Sequence, residues 1–229
     1  MPTSPAHRYS RPVFDQTLTV HSDHAHRLLD RGFLLVVRAL YGIDVVLRIL
    51  GEEAEMDEVE GVVSALIQEL AQALAEEGAR LAKLREDHGV TALPRYTNPE
   101  AIQVRISTPQ VAQYTALIQE LDRLMVTMDA LWLTGILTNK QRAQGAYAWR
   151  TRLLRTGRQI IEIERRARAS ALKRGKGEEL AGTEAEGASA SEEASESETP
   201  VTDVTARAED PEAAGDGAAS DTGPATLGR

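Results

Sequence analysis

The stretch "QTLTVH" (residues 16–21) alternates, with Leu18 and Val20 on one face and Thr17, Thr19 and His21 on the other, which predicts a short half-buried strand. Ser22 or Asp23 then stands where a helix N-cap is wanted. A mostly apolar helix is expected to run from there to about Leu50, with a bend near Gly42. From Met56 to about Asp87 the residues Val59, Val63, Leu66, Leu70, Leu74, Leu81 and Leu84 recur at mostly three- and four-residue steps, one apolar stripe of a second helix. "HGVTALPRYTNPE" follows as a loop, by its glycine, two prolines and asparagine.

"IQVRIST" is the clearest strand: Ile102, Val104 and Ile106 face one way and Gln103, Arg105 and Ser107 the other. Thr108 and Pro109 suit the cap and first turn of a third helix. Along it Tyr114, Leu117, Leu121, Leu124, Met128 and Leu131 keep a 3-4 spacing like a coiled-coil seam. Thr138 and Gln141 form a capping box for a fourth helix reaching about Ser170. The short link before it predicts an antiparallel hairpin of helices three and four. The fold class is thus mainly α, with four helices and two short strands.

The two strand-to-helix stretches match in register. Leu18 falls on Val104, Val20 on Ile106 and Ser22 on Thr108, although the identity is too low to claim a duplication. Two lone strands in a helical domain need partners for their backbone groups, and these have only each other or a second chain. Paired antiparallel, they make a ribbon whose open face carries Thr17, Thr19, His21, Gln103, Arg105 and Ser107. Such a ribbon fits the major groove of DNA, and arginine, glutamine and threonine read base edges there.

Charge sharpens this picture. The chain carries a formal net charge of −9 over 229 residues, but the part beyond residue 170 alone carries fourteen acids against five bases, so residues 1–170 are neutral. That last part is rich in Ala, Gly, Ser and Glu and has too little apolar surface to offset the entropy of ordering, so a disordered acidic tail is expected over 173–229. With prolines at 2, 5 and 12, residues 1–14 read as a flexible arm, which leaves 15–172 as one helical domain. Within it, residues 140–176 hold twelve bases against Glu162 and Glu164, while residues 52–87 hold eleven acids against three bases. Lys140, Arg142, Arg150 and Arg152 are the expected phosphate contacts.

Enzyme chemistry finds no support in the sequence. There is no cysteine, no glycine-rich phosphate loop and no nucleophile elbow. His21, Asp23, His24, His26 and Asp30 invite a metal, but only His26 and Asp30 share a helix face, and a capped helix start explains them better. No metal or cofactor is expected. The longest apolar run carries Arg38, Asp44 and Arg48 within 18 residues, so it reads as a buried helix and no membrane association is expected. A cytoplasmic location fits the missing cysteines.

Taken over residues 15–170, the chain resembles the AcaB-like ribbon-helix-helix transcriptional regulators of integrating conjugative elements and conjugative plasmids. The resemblance rests on "LTVHSDHAHRLL", "RYTNPEAIQVRISTPQVAQYTALIQELDRL", "LWLTGIL" and "WRTRLLRTGRQI". It implies a dimeric or pseudo-symmetric DNA-binding regulator of transfer genes, its ribbon on Gln103, Arg105 and Ser107. The third helix, about 25 residues or ~38 Å, is longer than that architecture usually carries. The expected partners are therefore double-stranded DNA and a second copy of the chain, paired through the seam and Trp132, with another regulator or conjugation protein possible. Burial of the seam within one chain is the competing expectation. The alternative function is a non-enzymatic helical adaptor of a conjugation or DNA-maintenance assembly.

Overall fold

The computed structural model describes residues 12–50 and 53–175; the expected arm up to residue 11 and the acidic tail from residue 176 lie outside the described residues. Strand β1 (Phe14–Val20) leads into α1 (Asp23–Leu28), a π-helical turn (Leu29–Phe33) and α2 (Leu34–Leu50), which together form one bent helical run. Then come α3 (Glu53–Asp87), β2 (Glu100–Ile106), α4 (Pro109–Leu133) and α5 (Asn139–Lys173). The four expected helices and both expected strands are present. The bend, however, is not at Gly42. It falls at Gly32, whose φ of 148° is open to glycine and strained for other residues. Gly42 lies inside a regular helix instead, where the lack of a side chain admits Glu164 of α5: a Cβ there would meet its carboxyl oxygen at 3.0 Å.

The two strands pair antiparallel within one chain, with Thr17 opposite Gln103 at the centre, Phe14 opposite Ile106 and Val20 opposite Glu100 at the ends. Leu18, Val20, Val104 and Ile106 are buried and Ile102 half-buried beneath the ribbon. Each strand passes into its helix through a matching cap. The Ser22 hydroxyl accepts from the Ala25 amide and that of Thr108 from the Val111 amide, both buried.

These matches extend over the whole domain. Thr17 and Gln103, which face each other across the ribbon, are 86 residues apart. The same spacing relates both ends of β1 to those of β2, both ends of α3 to those of α5, and the start of α1 to the start of α4. The chain is therefore two β-helix-helix halves related by a pseudo-twofold axis that passes between Thr17 and Gln103. The π turn adds one residue to the first half. Beyond it the buried positions correspond at a spacing one shorter: Phe33 with Ile118, Val36 with Leu121, Ile43 with Met128 and Val46 with Leu131.

The halves interlock. Helix α4 packs chiefly on α3, and α2 chiefly on α5, so the first helix of each half lies against the second helix of the other. This decides the fate of the seam. Tyr114, Leu117, Leu121, Leu124, Met128 and Leu131 are 0–4% exposed in the single chain. The surface expected to meet a second copy is instead covered by the first half of the same chain, and of the expected set only Trp132 stays exposed, at 37%. Periodicity identified the apolar face correctly, but not that an internal repeat would cover it. Among the described residues no helix is long and apolar enough to cross a membrane.

Candidate nucleic-acid interface

Alternation along the ribbon turns Asp15, Thr17 and Thr19 of β1 and Ala101, Gln103 and Arg105 of β2 to the face away from the helices. At the centre, on the pseudo-twofold, the Gln103 amide donates to the Thr17 hydroxyl at 2.9 Å. Arg105 lies opposite Asp15, with Nε 3.7 Å from its carboxylate. Such an exposed pair contributes about 0–1 kcal/mol, so it gives way readily to a stronger acceptor. Four of the six expected base-reading residues thus share one solvent face.

His21 and Ser107 stand apart from it. Both lie just past the strand ends. His21 turns to α4, where its ring Nδ1 lies 2.9 Å from the buried carboxylate of Asp122. The backbone amides of His21 and Ser22 donate to the same carboxylate at 3.1 and 2.8 Å. His26 points its Nε2 at the Val20 carbonyl at 3.3 Å and its Nδ1 at Glu100 at 3.6 Å. His21 and His26 mark the junction where the ribbon is tied to its helices.

From this junction a chain of contacts runs to the first turn of α5. His21 packs against Tyr96, with ring centroids 6.0 Å apart. The Tyr96 hydroxyl donates to Asp129 at 2.7 Å, and Asp129 also receives Arg142. The guanidinium of Arg142 stacks over Trp132, 4.6 Å from its ring centre. One end of the ribbon and the capped start of α5 therefore belong to one connected surface. Burial, then the bond to Asp129, pushes the Tyr96 hydroxyl far above its ordinary pKa, so Tyr96 remains a hydrogen-bond donor.

The four expected phosphate contacts differ in freedom. Lys140 is exposed in the first turn of α5. Arg142 is held by Asp129 and Trp132. Arg152 reaches Glu69 at 3.5 Å and stacks on Trp149. Arg150 is the most telling. Burial lowers its pKa, and so do Arg27 and Arg31, which the first helical run brings beside it. His24 is lowered too, first by burial and then by Arg150, Arg142 and Arg27, with Asp129 opposing. Cations gathered closely enough to lower Arg150 and His24 form a site that favours an anion.

Arg27 and Arg31 were missed in the sequence, although their four-residue spacing places them on one helix face. Tyr96, Asp122 and Asp129 were missed as well. The signal for the last two is a pair of acids seven residues apart, each directly after a seam residue, Leu121 and Met128.

The repeat makes the anion site one-sided. The first turn of α5 reads "NKQR", whereas its counterpart at the start of α3 reads "EAEM" and is followed by Asp57 and Glu58. At this position the sequence of the second half is basic and that of the first half acidic.

This chain is similar in structure to the crystal structure of selenomethionine-containing AcaB from uropathogenic E. coli. The two share 46% sequence identity over 75% of this chain and 89% of that one, with a TM-score of 0.73. No protein-family model and no curated protein matches the chain.

Proposed function

Because the chain belongs to the AcaB family, we propose that it is a sequence-specific DNA-binding regulator, in the cytoplasm, of the conjugative-transfer genes of a mobile element. It binds without catalysing a reaction. The observation that carries this reading is the two-stranded ribbon closed within one chain, with the polar face around Thr17 and Gln103 turned outward. A ribbon of this kind has the width of a major groove. The architecture that this reading assigns is ribbon-helix-helix, with both strands supplied by one polypeptide rather than by two copies.

In this arrangement the ribbon reads bases, and backbone phosphates settle on the cations beside its end. Arg105 and Gln103 of β2 do the base reading together with Thr17 and Thr19. Lys140 and the Arg27–Arg31–Arg150 cluster hold phosphate, helped by the free backbone N–H groups in the first turn of α5. The two halves present different side chains: Thr19 corresponds to Arg105 and Asp15 to Ala101. The preferred DNA site therefore lacks the dyad symmetry of a homodimer's operator.

Sequencing the duplexes that the purified protein retains from a random pool tests this. An enriched, non-palindromic motif bound by one chain per duplex is expected, with affinity that falls steeply as salt rises through counterion release. Retention without an enriched motif, or binding indifferent to salt, overturns the proposal and leaves the helical adaptor as the better reading.

A further inference from the structure

Helices α3 and α5 lie side by side and leave an open groove of roughly 800 Å³ between them. Its floor is apolar, made by Val62, Leu66, Ile161 and Ile163. Its rim is basic, made by Arg155, Arg158, Arg165 and Arg166 against one acid, Glu162. Glu162 is taken by Arg166 at 3.1 Å. Among the described residues Arg155, Arg158 and Arg165 have no acidic partner. Three solvated cations over uncovered aliphatic side chains ask for a ligand that is both acidic and partly apolar.

We propose that this groove is the docking site of the chain's own segment Glu178–Ala194. That segment holds six glutamates and no base. It also holds Leu180, directly after Glu178 and Glu179, as its one large apolar residue. A phosphate backbone would answer the arginines but leave the floor bare; the peptide answers both.

Geometry favours the chain's own segment over a separate peptide. Helix α5 ends at Lys173, and the chain leaves through Gly175 at a φ of 78°, in a left-handed turn whose amide bonds back to the Leu172 carbonyl. Going back along the helix from Lys173 to Arg158 covers about 22 Å at ~1.5 Å per residue. For the 19 residues from 176 to 194, ~5–6 Å times the square root of the length gives a reach of about 24 Å root-mean-square. Span and reach match, the condition under which a tethered ligand has its highest effective concentration. The docked segment neutralises the groove and keeps it from holding foreign polyanions.

The chain has no cysteine, so Ser191→Cys gives a single site for a nitroxide label. In the ¹⁵N-labelled full-length protein at low salt, the amide signals of Leu66, Arg155, Arg158 and Gln159 are expected to lose most of their intensity, and to regain it when the nitroxide is reduced. The loss should disappear at 0.5 M salt, and in the double variant Arg155→Gln with Arg165→Gln. Both arginines are exposed, so the fold should survive, as unchanged signals elsewhere would show. Groove signals that keep their intensity, or a loss centred on Lys140 or on Arg27 and Arg31, overturn the proposal. No DNA is present, so the outcome stands apart from the DNA-binding reading.

Discussion

Replacing Asp122 by alanine should do more damage than any other single change at the ribbon. Its carboxylate is buried, 4% exposed, and holds the amides of His21 and Ser22 and the His21 ring within 2.8–3.1 Å. Hydrogen bonds to an ionised group contribute about 1.5–3 kcal/mol each, and a buried donor left unsatisfied costs a further ~1–3 kcal/mol. The Ser22 amide is buried and the His21 amide partly so. Water entering the vacated space would satisfy one of them in part, so the net loss should be about 3–5 kcal/mol. For a domain of this size that lowers the thermal midpoint by roughly 6–20 °C, at ~2–4 °C per kcal/mol. Asp122→Asn keeps an acceptor without its charge and should cost about half as much. Urea unfolding followed by circular dichroism measures both, with an unchanged denaturant slope marking a pure stability effect. A loss below ~1 kcal/mol for Asp122→Ala, too small for even one charged hydrogen bond, would refute the view that this carboxylate ties the ribbon to α4.

Gly157→Ala should also destabilise, because a Cβ there would meet both the Tyr114 hydroxyl and a Val36 methyl at 2.9 Å. Overpacking of ~1–3 kcal/mol outweighs the ~1 kcal/mol gained in helix propensity, so thermal unfolding should show a midpoint lower by a few degrees. His24 gives a pH signature. Its folded pKa lies below the ordinary 6.5, through burial and then Arg150, Arg142 and Arg27. Below pH ~6.5 the unfolded chain therefore binds the proton more readily than the folded one, and stability falls as pH drops. Urea midpoints between pH 7.5 and 5 should fall less steeply in His24→Gln, and an identical slope would remove His24 as a cause.

Local signals in the sequence carried much of the architecture. The alternation of "IQVRIST", the caps at Ser22 and Thr108, and the box of Thr138 with Gln141 all depend on residues within a few positions of each other, and all three stand in the fold. The bend was misplaced because Gly32 and Gly42 are equally permissive as residues, and only packing against Glu164 shows which one is spared strain. The seam illustrates a harder limit. An apolar stripe states that it must be buried but not by what, and the cover here comes from α3, in the other half of the chain. The register of Leu18 with Val104 was visible, but side-chain identity had drifted too far to reveal the repeat that element lengths preserve. The anion site depended on Arg27 and Arg31 meeting Arg150 across more than a hundred residues, which no spacing rule reaches.

The most direct test of the ribbon as a DNA reader compares Arg105→Ala with Lys140→Ala. Both side chains are accessible enough for the fold to tolerate their loss. Arg105 faces outward between the buried Val104 and Ile106, placed to reach guanine O6 and N7 in a contact that contributes about 1–3 kcal/mol of discrimination. With the selected duplex and a random one, Arg105→Ala should shrink the affinity ratio by about 5- to 150-fold, the equivalent of that energy, and leave the salt slope nearly intact. Lys140→Ala should weaken both duplexes about equally and lower the magnitude of the slope by about one. If Arg105→Ala leaves the ratio unchanged while the protein stays folded, the ribbon is not what reads the sequence.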